Sequence, residues 1–313
     1  MTLPGARRRL GSVSLLVVGD LMLDEDFEGE MQGMAPAGPA KVLSVRRRTL
    51  APGGAANVAA NVTALGARAM VCGAIGADRE GAALRVELAR AGVEPLALVQ
   101  DGRPTTVKTR ALDGHRLVLR MDRERRWPLV YPAAQVVVSR SSERIGEVDA
   151  VVISDYQKGV VTRDICSTLI SVATARGIPV VVNTKSERLD SFRGATLVSV
   201  SEDGATRDGV TSDPELEAVA AEMGDTALLV TKAERGMALW RSGHSRLELA
   251  AMSDEAVDVT GAGDTVCAAI AVALAAGCAL DESIRIANAA AAIAVERPGT
   301  TAVPGPEVIG RLA

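Results

Sequence analysis

The chain of 313 residues is 48% hydrophobic and carries 35 Lys and Arg against 39 Asp and Glu, a formal net charge of -4. That length can bury one large core or two modest ones in water, and the absence of a strongly basic block excludes a protein that follows a nucleic-acid backbone. Six aromatic residues, two each of Trp, Tyr and Phe, are too few for a base-stacking platform, so any adenine would lie between aliphatic walls.

In chain order, Arg7 to Arg9 before Val13 to Val18 imitates a signal peptide, but the apolar run is short and ends in Gly19-Asp20. Ser14 to Asp20 reads instead as a strand buried on both faces whose C-terminal end opens into a site. Short apolar runs recur at Ala150 to Ile153, Ile178 to Val182, Ala195 to Val200 and Ala227 to Val230. Between them, Ala55 to Leu65, Arg79 to Ala91 and Arg163 to Arg176 each precede a glycine and read as helices. This alternation predicts a mostly parallel α/β sheet with helices on both faces. No internal repeat or low-complexity linker divides the chain, so residues 1–313 are expected to form one body with a lid.

Two stretches break the rhythm. Phe27 to Leu50 is rich in Gly, Pro and Met and then alternates, and Thr105 to Met121 alternates around Asp113-Gly114, a pair suited to a tight hairpin. They predict a small inserted β-sheet serving as lid or dimer surface; ordinary edge strands of the main sheet are the alternative. The later apolar run, Val266 to Leu280, is too short to span a bilayer and is interrupted by Gly277. No membrane partner is therefore expected. Cys72, Cys166, Cys267 and Cys278 show no CxxC spacing, and Cys72 and Cys267 sit in apolar surroundings, the pattern of buried thiols in a reducing cytoplasm.

Asp258-Val259-Thr260-Gly261-Ala262-Gly263-Asp264-Thr265 reads as a glycine turn opening a buried helix, whose free N–H groups and dipole favour a phosphate. A carboxylate at Asp264 would repel that phosphate, and makes sense if it takes a proton from an attacking alcohol; capping the helix is the plainer alternative. Pro52 to Ala59 is a second glycine turn into a helix, where Gly53 and Gly54 allow close backbone approach and Asn57 offers an amide to a hydroxyl. A merely well-packed helix start would look the same.

Together these segments resemble the ribokinase-like (PfkB) sugar kinases over about Leu15 to Val303. The resemblance implies a three-layer α/β sandwich with a small β-sheet lid. Within that family, Val18 to Asp24, Pro52 to Asn57, Ser154-Asp155-Tyr156-Gln157-Lys158-Gly159, Thr231 to Met237 and Asp258 to Thr265 are similar to bacterial kinases of D-glycero-β-D-manno-heptose 7-phosphate. The resemblance implies ATP and Mg2+ as cofactors, with the metal bridging the ATP phosphates mostly through water. It makes Asp264 the base and the amides of Gly261, Ala262 and Gly263 the anion hole. It places Asp24, Gly53, Gly54 and Asn57 on the sugar, with Asp155 beside them, and Thr231, Gly236 and Asn288 on the nucleotide.

A phosphorylated sugar needs cations. Lys108, Arg110 and Arg120 on the lid and Lys158 after the Ser154-Asp155 strand end are the candidates, with solvated strand charges as the alternative. Lids of this kind also suggest a homodimer. The sequence departs from the family where Ser201-Glu202-Asp203-Gly204 replaces an Asn-x-x-Glu element, leaving Glu202 or Asp203 to substitute. It departs again where Asn183-Thr184-Lys185 stands for Asp-Pro-Lys, and where Gly114-His115-Arg116 stands for Gln-Gln in the lid. Another sugar, sugar phosphate or nucleoside as substrate, or a paralogue that binds without transfer, are the competing readings.

Overall fold

The computed structural model describes residues 12–35, 38–185, 188–207, 212–253 and 255–312; Arg7 to Arg9 lie outside that set. Its centre is a nine-stranded sheet in the order β13-β12-β11-β10-β9-β8-β1-β4-β5. Seven strands run parallel: β1 (Ser14–Gly19), β4 (Arg68–Ala74), β5 (Glu94–Val99), β8 (Ala150–Asp155), β9 (Val180–Thr184), β10 (Leu197–Ser201) and β11 (Ala227–Thr231). The hairpin strands β12 (Met237–Trp240) and β13 (Leu247–Leu249) close one edge antiparallel.

The apolar runs are continuous because both faces of the sheet are covered. Along β1, Leu15 and Val17 enter one core and Leu16 and Val18 the other. Helices α1 (Ala55–Ala64), α2 (Arg79–Arg90), α7 (Ala262–Ala275), α8 (Leu280–Val295) and α9 (Gly305–Leu312) pack on the first face. On the second lie α3 (Ala133–Ile145), α4 (Arg163–Thr174), α5 (Glu202–Arg207) and α6 (Asp213–Glu222). The helix starts are locally specified: Asp78 and Thr162 accept from Gly81 and Ile165 N–H at α2 and α4, and Ser212 with Glu215 forms a capping box at α6.

The interrupting stretches form a separate four-stranded sheet, β3-β2-β6-β7, from β2 (Leu21–Met34), β3 (Lys41–Gly54), β6 (Thr106–Asp113) and β7 (Arg116–Arg123). The smaller sheet is thus separate from the main one, as expected for the lid segments, and the edge-strand alternative is not what forms. One residue, Asp20, separates β1 from β2, so the lid grows directly from the C-terminal end of a central strand. Chain order along the main sheet reverses between β1 and β8, and open α/β sheets hold their ligands in the crevice at such a reversal.

Candidate active site

Gly19 ends β1 and Ser154 lies opposite it near the end of β8. A Cβ on Gly19 would fall 2.1 Å from the Ser154 carbonyl oxygen, so only glycine lets the two strand ends close together. Asp20 follows, 1% exposed. Its carboxylate accepts the backbone N–H groups of Tyr156 (2.8 Å), Lys158 (2.9 Å) and Val160 (3.0 Å). Burial raises its pKa while those three N–H groups and the Arg103 charge pull it back. Asp20 therefore fixes the shape of the 156–160 turn, and its carboxylate is spent on that turn.

The turn delivers Tyr156 to Asp264. Asp264 is the third residue of α7, behind Gly261, whose φ of 80° marks the left-handed N-cap. The aspartate caps nothing. Its Oδ1 accepts the Tyr156 hydroxyl at 2.6 Å and the Asn183 amide at 2.9 Å, and its Oδ2 accepts the Asn57 amide at 2.9 Å. Burial pushes the carboxyl up to about 6, against the opposing pull of Tyr156, Asn57 and Lys185. A carboxylate poised near neutrality with a free lone pair is suited to take a proton.

Asn57 is held in a network at the anion turn, with one amide hydrogen and one oxygen lone pair left over for a ligand. Besides its bond to Asp264, its Oδ1 accepts from Asn61, whose own Oδ1 receives Thr265 Oγ1 (3.2 Å) and Val303 N–H (3.1 Å). The residue orients the carboxylate through one of its two amide hydrogens. Asp155 is turned inward, accepting from Gln157 N–H (2.8 Å) and Thr184 Oγ1 (2.9 Å); burial and the nearby Asp20 charge raise it to about 6.

At the anion turn, the Ala262 amide already donates to the Val259 carbonyl at 3.2 Å. That corrects the expected three-amide hole: among the described residues the amides of Gly261, Gly263 and Asp264 have no backbone acceptor, and Ala262 is spent. Asp24 stands beside this turn on β2, buried, accepting Thr300 Oγ1 at 2.7 Å, with its pKa raised by burial. A side chain at Gly53 would meet Asp24 Oδ1 at 2.7 Å, and Gly54 holds φ at 57° against the Asp20 carbonyl. These glycines clear room for Asp24 and for the entry to α1.

The cations come to the same region already paired. Lys108 contacts Asp122 (2.7 Å) and Glu124 (2.6 Å), and Lys158 contacts the same Glu124 at 2.7 Å. Those partners hold the Glu124 carboxyl down at about 2 against the effect of burial. Arg110 grips Asp26 with two bonds and donates to Thr260 Oγ1 at 2.9 Å, tying the lid to the anion turn. Arg120 pairs with Asp122 in solvent. Elsewhere, Asn288 Nδ2 donates to the Ala250 carbonyl, and Gly236, at φ 86°, lies against Leu249 where any Cβ would clash. Thr231 ends β11 beside them, partly exposed.

Sequence reading missed Tyr156, Asn183 and Lys185 as site residues, although their segments were singled out. Lys185 places its ammonium 5.8 Å from the centre of the Tyr156 ring, within cation–π range. The signal was the departure from Asp-Pro-Lys itself: an Asp at 183 would set a second carboxylate against Asp264, whereas Asn donates to it.

The chain and its fold have known counterparts. Residues 13–307 match the model of the pfkB family carbohydrate kinases. The chain belongs to that family. As a pfkB kinase it uses ATP to phosphorylate a carbohydrate, and its fold is ribokinase-like. It is 37% identical over 314 residues to the bifunctional protein HldE of Trichlorobacter lovleyi, covering 98% of this chain and 64% of that one. It is 39% identical over 306 residues to HldE of Pseudomonas aeruginosa, with 96% and 64% covered. The pfkB kinase described here thus spans less than two thirds of the length of these relatives. A putative ribokinase from Agrobacterium tumefaciens shares the fold at TM-score 0.78 and 24% identity, covering 96% of this chain and 98% of that one. Phosphofructokinase-2 of Escherichia coli does so at TM-score 0.74 and 20% identity, over 95% and 96%. No helix among the described residues is long and apolar enough to cross a membrane.

Proposed function

We propose that this kinase transfers the γ-phosphoryl of ATP to the anomeric C1 hydroxyl of D-glycero-β-D-manno-heptose 7-phosphate, giving the 1,7-bisphosphate. The observation that carries the reading is the buried Asp264, held by Tyr156, Asn183 and Asn57 behind the open amides of Gly261 and Gly263. Asp264 takes the hydroxyl proton, and those amides receive charge from the transferring group. Asp24 orients sugar hydroxyls from the lid side, and Thr231, Gly236 and Asn288 border the nucleotide. Similarity to the HldE proteins over nearly the whole chain supports the heptose as acceptor.

Among the described residues no group of three or more His, Cys, Asp or Glu is placed to hold a metal. Magnesium arriving on the ATP phosphates would neutralise their charge, with Glu202 or Asp203 at the start of α5 as the carboxylates able to hold it through water. Glu202 is paired with Arg235 in this state. The outer face of the lid carries Leu117, Leu119 and Met121, each about half exposed (52%, 53% and 52%), and supports a homodimer formed through the lid.

A second reading is favoured by the pairing of every candidate cation. Lys108, Arg110, Arg120 and Lys158 are all matched by carboxylates, as a site for an uncharged sugar would leave them. Coupled ADP release with heptose 7-phosphate, fructose 6-phosphate, ribose, fructose and adenosine separates the two. Selective turnover of the heptose phosphate, lost on Asp264→Ala, is expected; selective turnover of an uncharged sugar would replace the first reading with the second.

A further inference from the structure

The two oxygens of Asp264 are not equivalent. Oδ1 accepts both the Tyr156 hydroxyl at 2.6 Å and the Asn183 amide at 2.9 Å, while Oδ2 accepts only Asn57 at 2.9 Å. An ionised carboxylate has about four lone-pair sites, two on each oxygen. Oδ1 is therefore full and Oδ2 has one site left.

We propose that Tyr156 is a positioning residue of the transfer step, closing Oδ1 together with Asn183 so that Oδ2 alone takes the proton of the acceptor alcohol. This rests on the reading of Asp264 as the base. In that step the alcohol O–H bond breaks and its proton passes to Oδ2. The freed electron pair forms the bond to the γ-phosphorus, and the bond from that phosphorus to the β,γ-bridging oxygen breaks, leaving ADP.

Tyr156 is built to stay where it is. Its own N–H and those of Lys158 and Val160 are fixed by the buried Asp20. The next residue, Gln157, holds a left-handed φ of 57°, rare for a residue with a side chain, and Asp155 clamps its N–H at 2.8 Å. Lys185 lies over the ring. A tyrosine serving only as packing would not need a turn so fully determined at the backbone.

The groups facing Asp264 are Tyr156 from the turn after β8, Lys185 after β9, Asp24 on β2, and Cys267 one turn along α7. Tyr156 and Lys185 favour the ionised carboxylate; Asp24 opposes it. Taking away the phenol hydroxyl removes a donor to the charged form, so the base of Tyr156→Phe stays protonated to higher pH.

The test is the pH dependence of kcat/KM for Tyr156→Phe against the unaltered enzyme. The substrate's own phosphate titrates near pH 6 but is common to both and cancels in the comparison. The acid limb is expected to move up by about one pH unit, the size set by one charge-assisted hydrogen bond. Superimposable acid limbs would overturn the proposal. Asn183→Leu, which removes the other Oδ1 donor, is expected to shift the limb the same way and serves if the Phe variant fails to fold.

A second readout needs no substrate. The Asp264 carboxyl carbon, assigned by the signal lost in Asp264→Asn, is titrated by NMR in the nucleotide-free protein. A midpoint near 6 that rises in Tyr156→Phe supports the positioning role, and an unmoved midpoint overturns it. If the midpoint moves but turnover survives Asp264→Asn, the hydrogen bond is real and the reading of Asp264 as the base is what fails.

Discussion

Replacing Asp264 by Asn should cut transfer sharply and remove a pH-dependent penalty on the stability of the fold. The folded carboxyl sits at about 6 against 3.8 for an unperturbed Asp, because burial disfavours its charge. A raised folded pKa contributes stability that is complete below the unfolded value of 3.8 and is lost as pH rises through 6. From 3.8 to about 6 is roughly two units, and at 1.36 kcal/mol each the charged carboxylate costs about 3 kcal/mol once fully ionised. An amide at this position has no charge to bury. It can still accept from Tyr156 and Asn183, but it turns an NH2 toward the Asn57 amide, a mismatch of about 1–3 kcal/mol that does not change with pH. The difference in unfolding free energy, substituted minus unaltered, should therefore rise by about 2–2.5 kcal/mol between pH 4 and pH 7.5, whatever its value at either end, the remainder lying below pH 4 where the unfolded carboxyl titrates. Urea unfolding of both proteins at several pH values measures it, since other titrating groups cancel in the difference. Turnover should fall by about 10²- to 10⁴-fold, the usual contribution of a general base. A stability difference that stays flat across this range would refute the reasoning, because Asp264 would then carry no burial cost.

Three further outcomes follow from the geometry. Gly261→Ala places a Cβ 2.8 Å from Asn57 Nδ2 at a φ of 80°, a left-handed position costing about 1–2 kcal/mol; kcat should fall at least tenfold while ATP affinity, followed by titration, stays within a factor of about three, and an unchanged kcat contradicts the account. Arg110→Met unties Asp26 and Thr260 and should raise the KM for the phosphorylated sugar about tenfold or more without moving the KM for ATP; a parallel rise in both would argue against a lid-side role. Leu119→Glu on the exposed apolar lid face should shift the protein from dimer to monomer in sedimentation, and an unchanged mass would remove the lid from the interface.

The central strands were legible because burial on both faces leaves an unmistakable apolar run, as in β1, whose predicted limits differ from the structure by one residue. The lid was legible from alternation around Asp113-Gly114, but β2 begins at Leu21, ahead of the expected Phe27. Leu21, Met22 and Leu23 are buried and lack the alternation that marks a half-exposed strand. β4, β5 and α6 escaped notice: their short mixed sequences give little periodicity, and their partners lie elsewhere in the chain. Asp264 could be singled out because a carboxylate in an anion turn is chemically odd. The bond from Asn57 to Asp264 could not be read from the sequence, since the two lie 207 residues apart. The lid cations looked free because alternation shows which residues share a face, and not that Asp26 on β2, Asp122 across the hairpin on β7 or Glu124 just past it already hold them.

The most direct measurement is the structure of the product. Incubation with ATP, magnesium and heptose 7-phosphate, followed by phosphorus and proton NMR, is predicted to give ADP and a sugar retaining its 7-phosphate, with a new phosphorus coupled to the anomeric proton. ADP accompanied only by inorganic phosphate, or a new phosphate on any other carbon, would contradict transfer to the C1 hydroxyl.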